Sequence, residues 1–333
     1  MKRFILIALM VMMAAGAWAQ DLGDFQTGFQ AFAVDMSATL SYNATVGNNW
    51  SDAYIGQFPR FGVGLALGVT AVPADSLKGL FDEMGIAVPD ALKKFGLPIP
   101  AAALSAKIGG LILPFDFGIK AMVLPPAATE ALSSSGIAAD YKLFGANVRV
   151  GLVKEGLLFP DVSFGAGYNR LTGSVLMPLG VSTQSFTFDD EFATSHVLAV
   201  TDPDLNMLWT TDSFDFTLQV SKKILFIRPY AGAGLSVGKS TVDGGVKASM
   251  TYDTNTMNQA QIDQMILDLA NTGITVPALS VDGFLFTAEN SDPVLRVYGG
   301  VSFDLLILSL DLQATIVPAT KSLGANAMIR IQL

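Results

Sequence analysis

The chain of 333 residues contains no cysteine and a single histidine, His196. Without thiols there is neither a disulfide framework nor a thiolate centre, and one imidazole cannot build a metal site of the histidine and cysteine type. Charge is also scarce: only 15% of residues are Asp, Glu, Lys or Arg, with 29 acidic against 20 basic side chains. An acidic chain repels a phosphate backbone, so no nucleic-acid partner is expected. Long apolar runs are missing too. From residue 20 onward none reaches the roughly 18 residues that a membrane helix requires.

What is present points elsewhere. Lys2 and Arg3 precede an apolar run from Phe4 to Ala15 and the small-residue pattern Ala17-Trp18-Ala19, the layout of an export signal cleaved before Gln20. Residues 1–19 are therefore expected to be removed, leaving 20–333 as one domain with 18 basic and 29 acidic groups, formal charge −11. Half the chain (51%) is hydrophobic and 32 residues are glycine, an oily composition for a protein without membrane helices.

Alternation explains how that apolar content is carried. At the C-terminus Leu323, Ala325, Ala327, Ile329, Ile331 and Leu333 fall on one side, and Gly324, Asn326, Met328, Arg330 and Gln332 on the other. A period of two marks a pleated strand whose faces meet different environments. Residues 60–70 repeat the pattern with Val63, Leu65 and Leu67 against alternate glycines, and residues 142–152 set Phe144, Val148 and Val150 against Asn147 and Arg149. The block at 31–42, with Phe32, Val34, Met36, Ala38, Leu40 and Tyr42 opposed to Ser and Thr, reads as a first strand. Further blocks lie at 102–112, 116–124, 162–170, 208–221, 227–239, 245–252, 281–287, 294–304 and 306–317. The total is about 12–14 strands.

Tight connections are expected at 113–116, 222–225 and 304–306, and long ones at 44–57, 74–100, 125–139, 171–206 and 253–280. The short and long connections do not alternate cleanly, and if 113–116 is a short turn at the periplasmic end, one block before it is split, extra or part of a plug. Two long connections carry a helical stripe: Leu77, Leu80, Phe81 and Met84, and Ile262, Met265, Ile266 and Leu269, predicting helical insertions near 74–96 and 256–272. A faint repeat links Gly85–Pro89 with Gly273–Pro277 and the glycine-alternating strand 62–68 with 232–238.

With an export signal, two-faced strands through most of the chain and a C-terminal strand ending on apolar Leu333, the sequence resembles the bacterial outer-membrane β-barrel proteins as a broad class. In that class the last residue is typically aromatic, and here it is leucine. A channel of the FadL-like kind is similar in size, without signature residues to carry over. The resemblance implies an all-β fold, an antiparallel transmembrane barrel with short helices in long loops, located in the outer membrane of a Gram-negative-type envelope. The partners it implies are the lipid bilayer and the outer-membrane assembly machinery. Closure satisfies every backbone group in the bilayer and removes sheet edges.

Charged residues on the polar faces belong in a wet interior, since lipid would not tolerate them. The lumen candidates are Asp35, Lys107, Lys120, Asn147, Arg149, Asn169, Gln219, Arg296, Asp304, Asp311, Gln313 and Arg330. Tyr42, Phe61, Phe115, Tyr168, Trp209 and Phe303 are candidates for interfacial aromatic belts. Ser195 and His196 are adjacent in an expected outer loop, and adjacency does not make a nucleophile and base, so no enzyme is expected. Asp189, Asp190 and Glu191, with Asp202 and Asp204, lack the spacing of a calcium loop and read as a solvated acidic segment. No cofactor is expected. The functional expectation is a channel for diffusion or uptake of small solutes or hydrophobic molecules. The alternatives are a structural or adhesive surface barrel and a soluble periplasmic β-protein.

Overall fold

A computed structural model describes residues 18–56, 60–76, 78, 93–94, 96–110, 113–134, 136–178, 184–189, 195–253, 255–256, 258–271, 279–280 and 283–333. The strands are β1 Phe61–Val72, β2 Leu97–Gly109, β3 Phe115–Val123, β4 Ala138–Val153, β5 Asp161–Pro178, β6 Gln184–Asp189 and β7 Ser195–Ser221. They continue with β8 Ile227–Tyr252, β9 Asn255–Thr256, β10 Leu279–Ser280, β11 Gly283–Asn290, β12 Val294–Leu305, β13 Leu308–Val317 and β14 Ser322–Gln332. Helices among the described residues include α1 Trp18–Asn43, α2 Pro126–Ser133 and α3 Gln259–Asn271. Among the described residues no helix is long and apolar enough to cross a membrane.

Every pairing is antiparallel, and the sheet closes. β1 pairs with both β2 and β14, and β7 pairs with both β5 and β8, so a ring of ten strands forms through β1 to β5, β7, β8 and β12 to β14. The outward face is apolar all round: Val63, Leu65, Leu67, Phe144, Val148, Val150, Leu310, Leu312, Ile329 and Ile331 are all exposed. The glycine-alternating segments 62–68 and 232–238 fall in β1 and β8 and point their apolar residues outward in the same phase.

Ten is fewer than the number of alternating blocks in the sequence, for three structural reasons. The block at 31–42 is not a strand: it is the last part of α1. The blocks 227–239 and 245–252 form one strand, β8. The block 281–287 becomes β11, which lies in line with β12. Asn290 faces Ser240 and Val294 faces Ser236, so β11 and β12 keep one register along β8 and act as a single strand interrupted near Pro293. Proline has no N–H to give to the ladder, and the break falls there.

Taking 31–42 out of the strand count also restores the alternation of connections. The short turns 110–114, 154–160, 222–226 and 306–307 lie at one end, where β1 starts and Phe61 exchanges backbone bonds with Leu333. The opposite end carries the connections 73–96, 124–137, 179–194 and 253–282, together with the shorter 318–321. Helix α3 covers the stripe predicted around Ile262; the other stripe, Leu77 to Met84, lies outside the described residues apart from short helical pieces at 74–76 and 78. The repeated segments 85–89 and 273–277 also lie outside them, as does all of the expected export signal except Trp18 and Ala19.

Candidate functional site

The N-terminal segment fills the barrel. Helix α1 enters from the long-connection end, and the chain then runs without regular structure to Gly56, beside Arg60 at the short-turn end. All residues from Met36 to Ala53 are buried.

The interior has two zones. In the half nearer the long connections, Phe32, Ala33, Met36 and Leu40 of α1 pack on inward-facing Leu143, Leu171, Trp209, Val242 and Ala288. The hydroxyls of this helix are absorbed by its own carbonyls: Ser37 Oγ donates to Val34 O at 2.7 Å and Thr39 Oγ1 to Asp35 O at 2.8 Å. Bonded back in this way, Ser and Thr can be buried inside a helix at little cost. Asn43 Nδ2 then donates to Thr70 Oγ1 at 2.8 Å and Tyr42 Oη to Leu323 O at 3.1 Å, fastening the end of α1 to the wall.

In the other half the wall is polar and grips an irregular backbone. Such a backbone survives out of water only if its amides and carbonyls find partners. Ser51 N donates to Asp311 at 3.4 Å, Ala53 N to Ser221 Oγ at 3.1 Å and Ile55 N to Asp116 at 2.8 Å, three alternate amides reaching three different strands. Gln219 Nε2 donates to the carbonyls of Trp50, Ser51 and Asp52 at 2.8–3.2 Å. Arg149 Nη1 donates to Asp52 O at 2.7 Å, Lys107 Nζ to Asn48 O at 2.8 Å and Lys120 Nζ to Val46 O at 2.8 Å and Ala44 O at 2.5 Å.

Asp52 is the charged centre of this segment. Its two carboxylate oxygens take Arg228 Nε and Arg330 Nη1, each at 2.7 Å. The wall pairs its own charges around it: Arg149 with Asp116 at 3.0 Å, Arg330 with Asp311 at 3.0 Å, and Arg296 with both oxygens of Asp215 at 2.6 and 2.8 Å. Trp50 lies between cations, with Lys107 Nζ 5.5 Å and Arg330 Cζ 5.3 Å from the ring, a favourable pairing for a desolvated charge.

Alternate glycines on the inward face make room for these large groups. A Cβ on Gly62 would stand 2.7 Å from the Trp50 ring, and one on Gly234 would stand 2.5 Å from the Arg296 guanidinium. Gly62→Val should therefore expel Trp50 from its seat and cost about 1–3 kcal/mol through overpacking. The check is denaturant unfolding read with iodide quenching of tryptophan emission, which should rise in the variant.

Of the twelve lumen candidates, ten are buried on inward-facing strand positions: Lys107, Lys120, Asn147, Arg149, Asn169, Gln219, Arg296, Asp311, Gln313 and Arg330. Asp304 faces inward at the end of β12 beside Arg228, at 3.3 Å. Asp35 belongs to no wall strand. It sits half-buried on α1, where its carboxylate accepts from Ser76 Oγ. Two belt candidates also move inside: Tyr42 is buried on α1 and Trp209 is buried in the apolar zone. His196 and Ser195 open β7, paired with Phe188 and Asp189 of β6, in place of the expected loop. Asp190 and Glu191 lie outside the described residues. Among the described residues no group of three or more His, Cys, Asp or Glu could hold a metal ion.

The sequence reading missed the plugging segment itself, residues 43–56. Its density of Asn, Ser and Asp around one buried tryptophan is the only local signal. Two cavities between plug and wall are small: about 30 Å³ beside Asn43 and Gly47, and about 10 Å³ beside Asn49 and Arg149. Each has room for about a water molecule, far below the several hundred Å³ of a ligand pocket.

A closed antiparallel ring, greasy outside and carrying its charged strand residues within, with short turns at one end and long connections at the other, defines an outer-membrane β-barrel. The model of the family of unknown function DUF6588 matches residues 66–317, and the chain belongs to that family. No curated protein matches the chain. Among solved structures it is similar to the outer membrane protease OmpT from Escherichia coli, with 8% identity over 85% of this chain and 100% of that one and a TM-score of 0.35. It is similar to the transport unit of the autotransporter AIDA-I from Escherichia coli at 10% identity, covering 88% and 96% of the two chains, TM-score 0.28. A FadL homologue from Pseudomonas aeruginosa is similar at 9% identity over 82% and 89%, TM-score 0.23. Likenesses this distant carry no information about activity.

Proposed function

We propose that this protein is a non-enzymatic barrel of the bacterial outer membrane, exported by residues 1–19, whose lumen is sealed by its own N-terminal segment. The working surface in this reading is the long-connection end, facing outward. The observation that carries it is the unbroken burial of residues 36–53 inside the ring, with wall side chains bonded to the carbonyls of residues 44, 46, 48, 50, 51 and 52 and to the amides of residues 51, 53 and 55. That end is a built structure. β7 and β8 run 27 and 26 residues, well past the apolar belt, and α1 packs on their inner face. A surface of this kind suits binding of an extracellular partner.

The test is conductance. The full chain reconstituted in a planar bilayer should show no channel steps, and spontaneous steps of the resting protein would count against a sealed lumen.

A second reading is uptake of small solutes after the plug moves, and it has one specific support. Residues 44–55 are held by polar and charged contacts, and groups such as Lys107, Lys120 and Gln219 could exchange those contacts for water if the segment left. Steps that appear only when a solute is added on the long-connection side would favour this reading over a surface-binding one.

A further inference from the structure

The short turns of this barrel are unusually greasy. Leu157, Leu158 and Phe159 stand exposed in the turn after β4, Leu225 and Phe226 after β7, and Leu306 after β12, the last fully exposed. Exposed clusters of this size mark a surface that meets something apolar.

The backbone gives an independent sign. Leu225 has φ +59° and Leu306 φ +56°, each at the first central position of a two-residue hairpin turn. Turns of that kind normally take glycine, asparagine or aspartate there, because a side chain with positive φ is strained. The chain keeps leucine at both tips although neither is used in packing. Backbone strain held at an exposed apolar tip points to a role for that side chain. The third turn is also fixed: Lys222 Nζ donates to Phe159 O at 3.1 Å and Leu157 O at 3.3 Å, which holds Leu157 to Phe159 against the neighbouring hairpin.

The belt height says what covers these tips. A charged row crosses the outward face of β5, β7 and β8, Arg170 facing Asp212 facing Lys239, with the Arg170 and Asp212 side chains 3.3 Å apart. Below it on β7 come Phe214, Phe216, Leu218 and Val220, all exposed. From Asp212 to Val220 the strand climbs roughly 20 Å at about 3.3 Å per residue and a tilt near 40°. A transmembrane barrel usually shows lipid a band of about 25 Å. On β7 the strand face below the charged row falls short of that band, and the turn residues continue it. Exposed Lys154, Lys223 and Arg60 lie at the same end, placed to reach lipid phosphates.

We propose that the short-turn end is immersed in the bilayer: the Leu157–Phe159, Leu225–Phe226 and Leu306 tips sit in the acyl and headgroup region of one leaflet and complete the apolar belt. This rests on the reading that the barrel spans a membrane. The occupant is lipid because the turn surface is continuous with the belt above it and carries exposed Lys154 and Lys223 beside the apolar tips. A protein partner or a second copy would leave the β7 side of the belt short.

The absence of cysteine makes the test direct. Full-length Leu306→Cys and Leu158→Cys carry a nitroxide label in vesicles of phosphatidylethanolamine and phosphatidylglycerol, with Leu65→Cys on the β1 belt as reference. Collision with oxygen, which concentrates in lipid, is compared with collision with a water-soluble nickel chelate. Both turn labels should match the reference, with oxygen contact several-fold above nickel contact. Nickel contact at 306 and 158 with a lipid-like 65 overturns the proposal and leaves the spanning barrel standing. Nickel contact at all three positions overturns the spanning barrel itself. Shielding of the turn labels from both reagents overturns the proposal in favour of a protein cover.

Discussion

A protein lacking residues 20–56 conducts ions across a planar bilayer, whereas the full chain is silent. The deletion should be tolerated because the ring does not depend on the plug: its ten strands are bonded to one another all the way round. The charges it uncovers are also provided for. Arg149, Arg296 and Arg330 keep Asp116, Asp215 and Asp311 as wall partners. Lys107, Lys120 and Gln219 lose plug carbonyls and meet water instead. Removing a whole segment thus exposes charged groups to solvent, which is far cheaper than leaving one buried and unpaired. Channel steps in the deletion variant and none in the full chain are the expected outcome. Silence in a correctly folded deletion variant would show that residues 20–56 are not what closes the lumen.

Asp52→Ala should be strongly destabilising. It removes the shared carboxylate from Arg228 and Arg330 while the plug stays in place, so both guanidinium groups remain enclosed. Breaking one side of a buried pair typically costs about 3–5 kcal/mol. The low end applies here, because Arg330 retains Asp311 at 3.0 Å and Arg228 retains Asp304 at 3.3 Å. Urea unfolding of the reconstituted protein measures the loss. Asp52→Ala combined with Arg228→Ala should lose less than the sum of the two single changes, because the second substitution removes a charge the first has stranded. Strict additivity would mean that Asp52 and Arg228 do not interact in the folded protein.

The wall was legible in the sequence because lipid and lumen impose opposite demands on neighbouring residues. Val63 and Gly62, Val148 and Asn147, or Ile329 and Arg330 could not exchange faces without exposing polar groups to hydrocarbon, so the period of two is written plainly. The plug was not legible for the converse reason. Residues 36–43 of α1 are buried on all sides, so no polar face exists to reveal a helical period. Their Ser and Thr hydroxyls, bonded to carbonyls of the preceding turn, alternate with Met36, Ala38, Leu40 and Tyr42 and imitate a strand. The lack of glycine and proline between residues 29 and 46 is the one feature that fits a helix better. Beyond it, residues 44–56 carry no periodic signal, since their order is set by groups on β3, β7 and β13 that are distant in sequence. The inward-facing residues could be named from alternation; their partner could not.

Hydrogen exchange of the reconstituted wild-type protein tests the sealed lumen most directly. The amides of Ala44, Thr45, Val46, Asn48, Ser51, Ala53 and Ile55 all have acceptors inside the ring. They should exchange as slowly as the central amides of β1 and β14. Exchange of residues 44–55 at the rate of a free chain, beside protected strands, would contradict the account and leave an open barrel with its N-terminal segment outside.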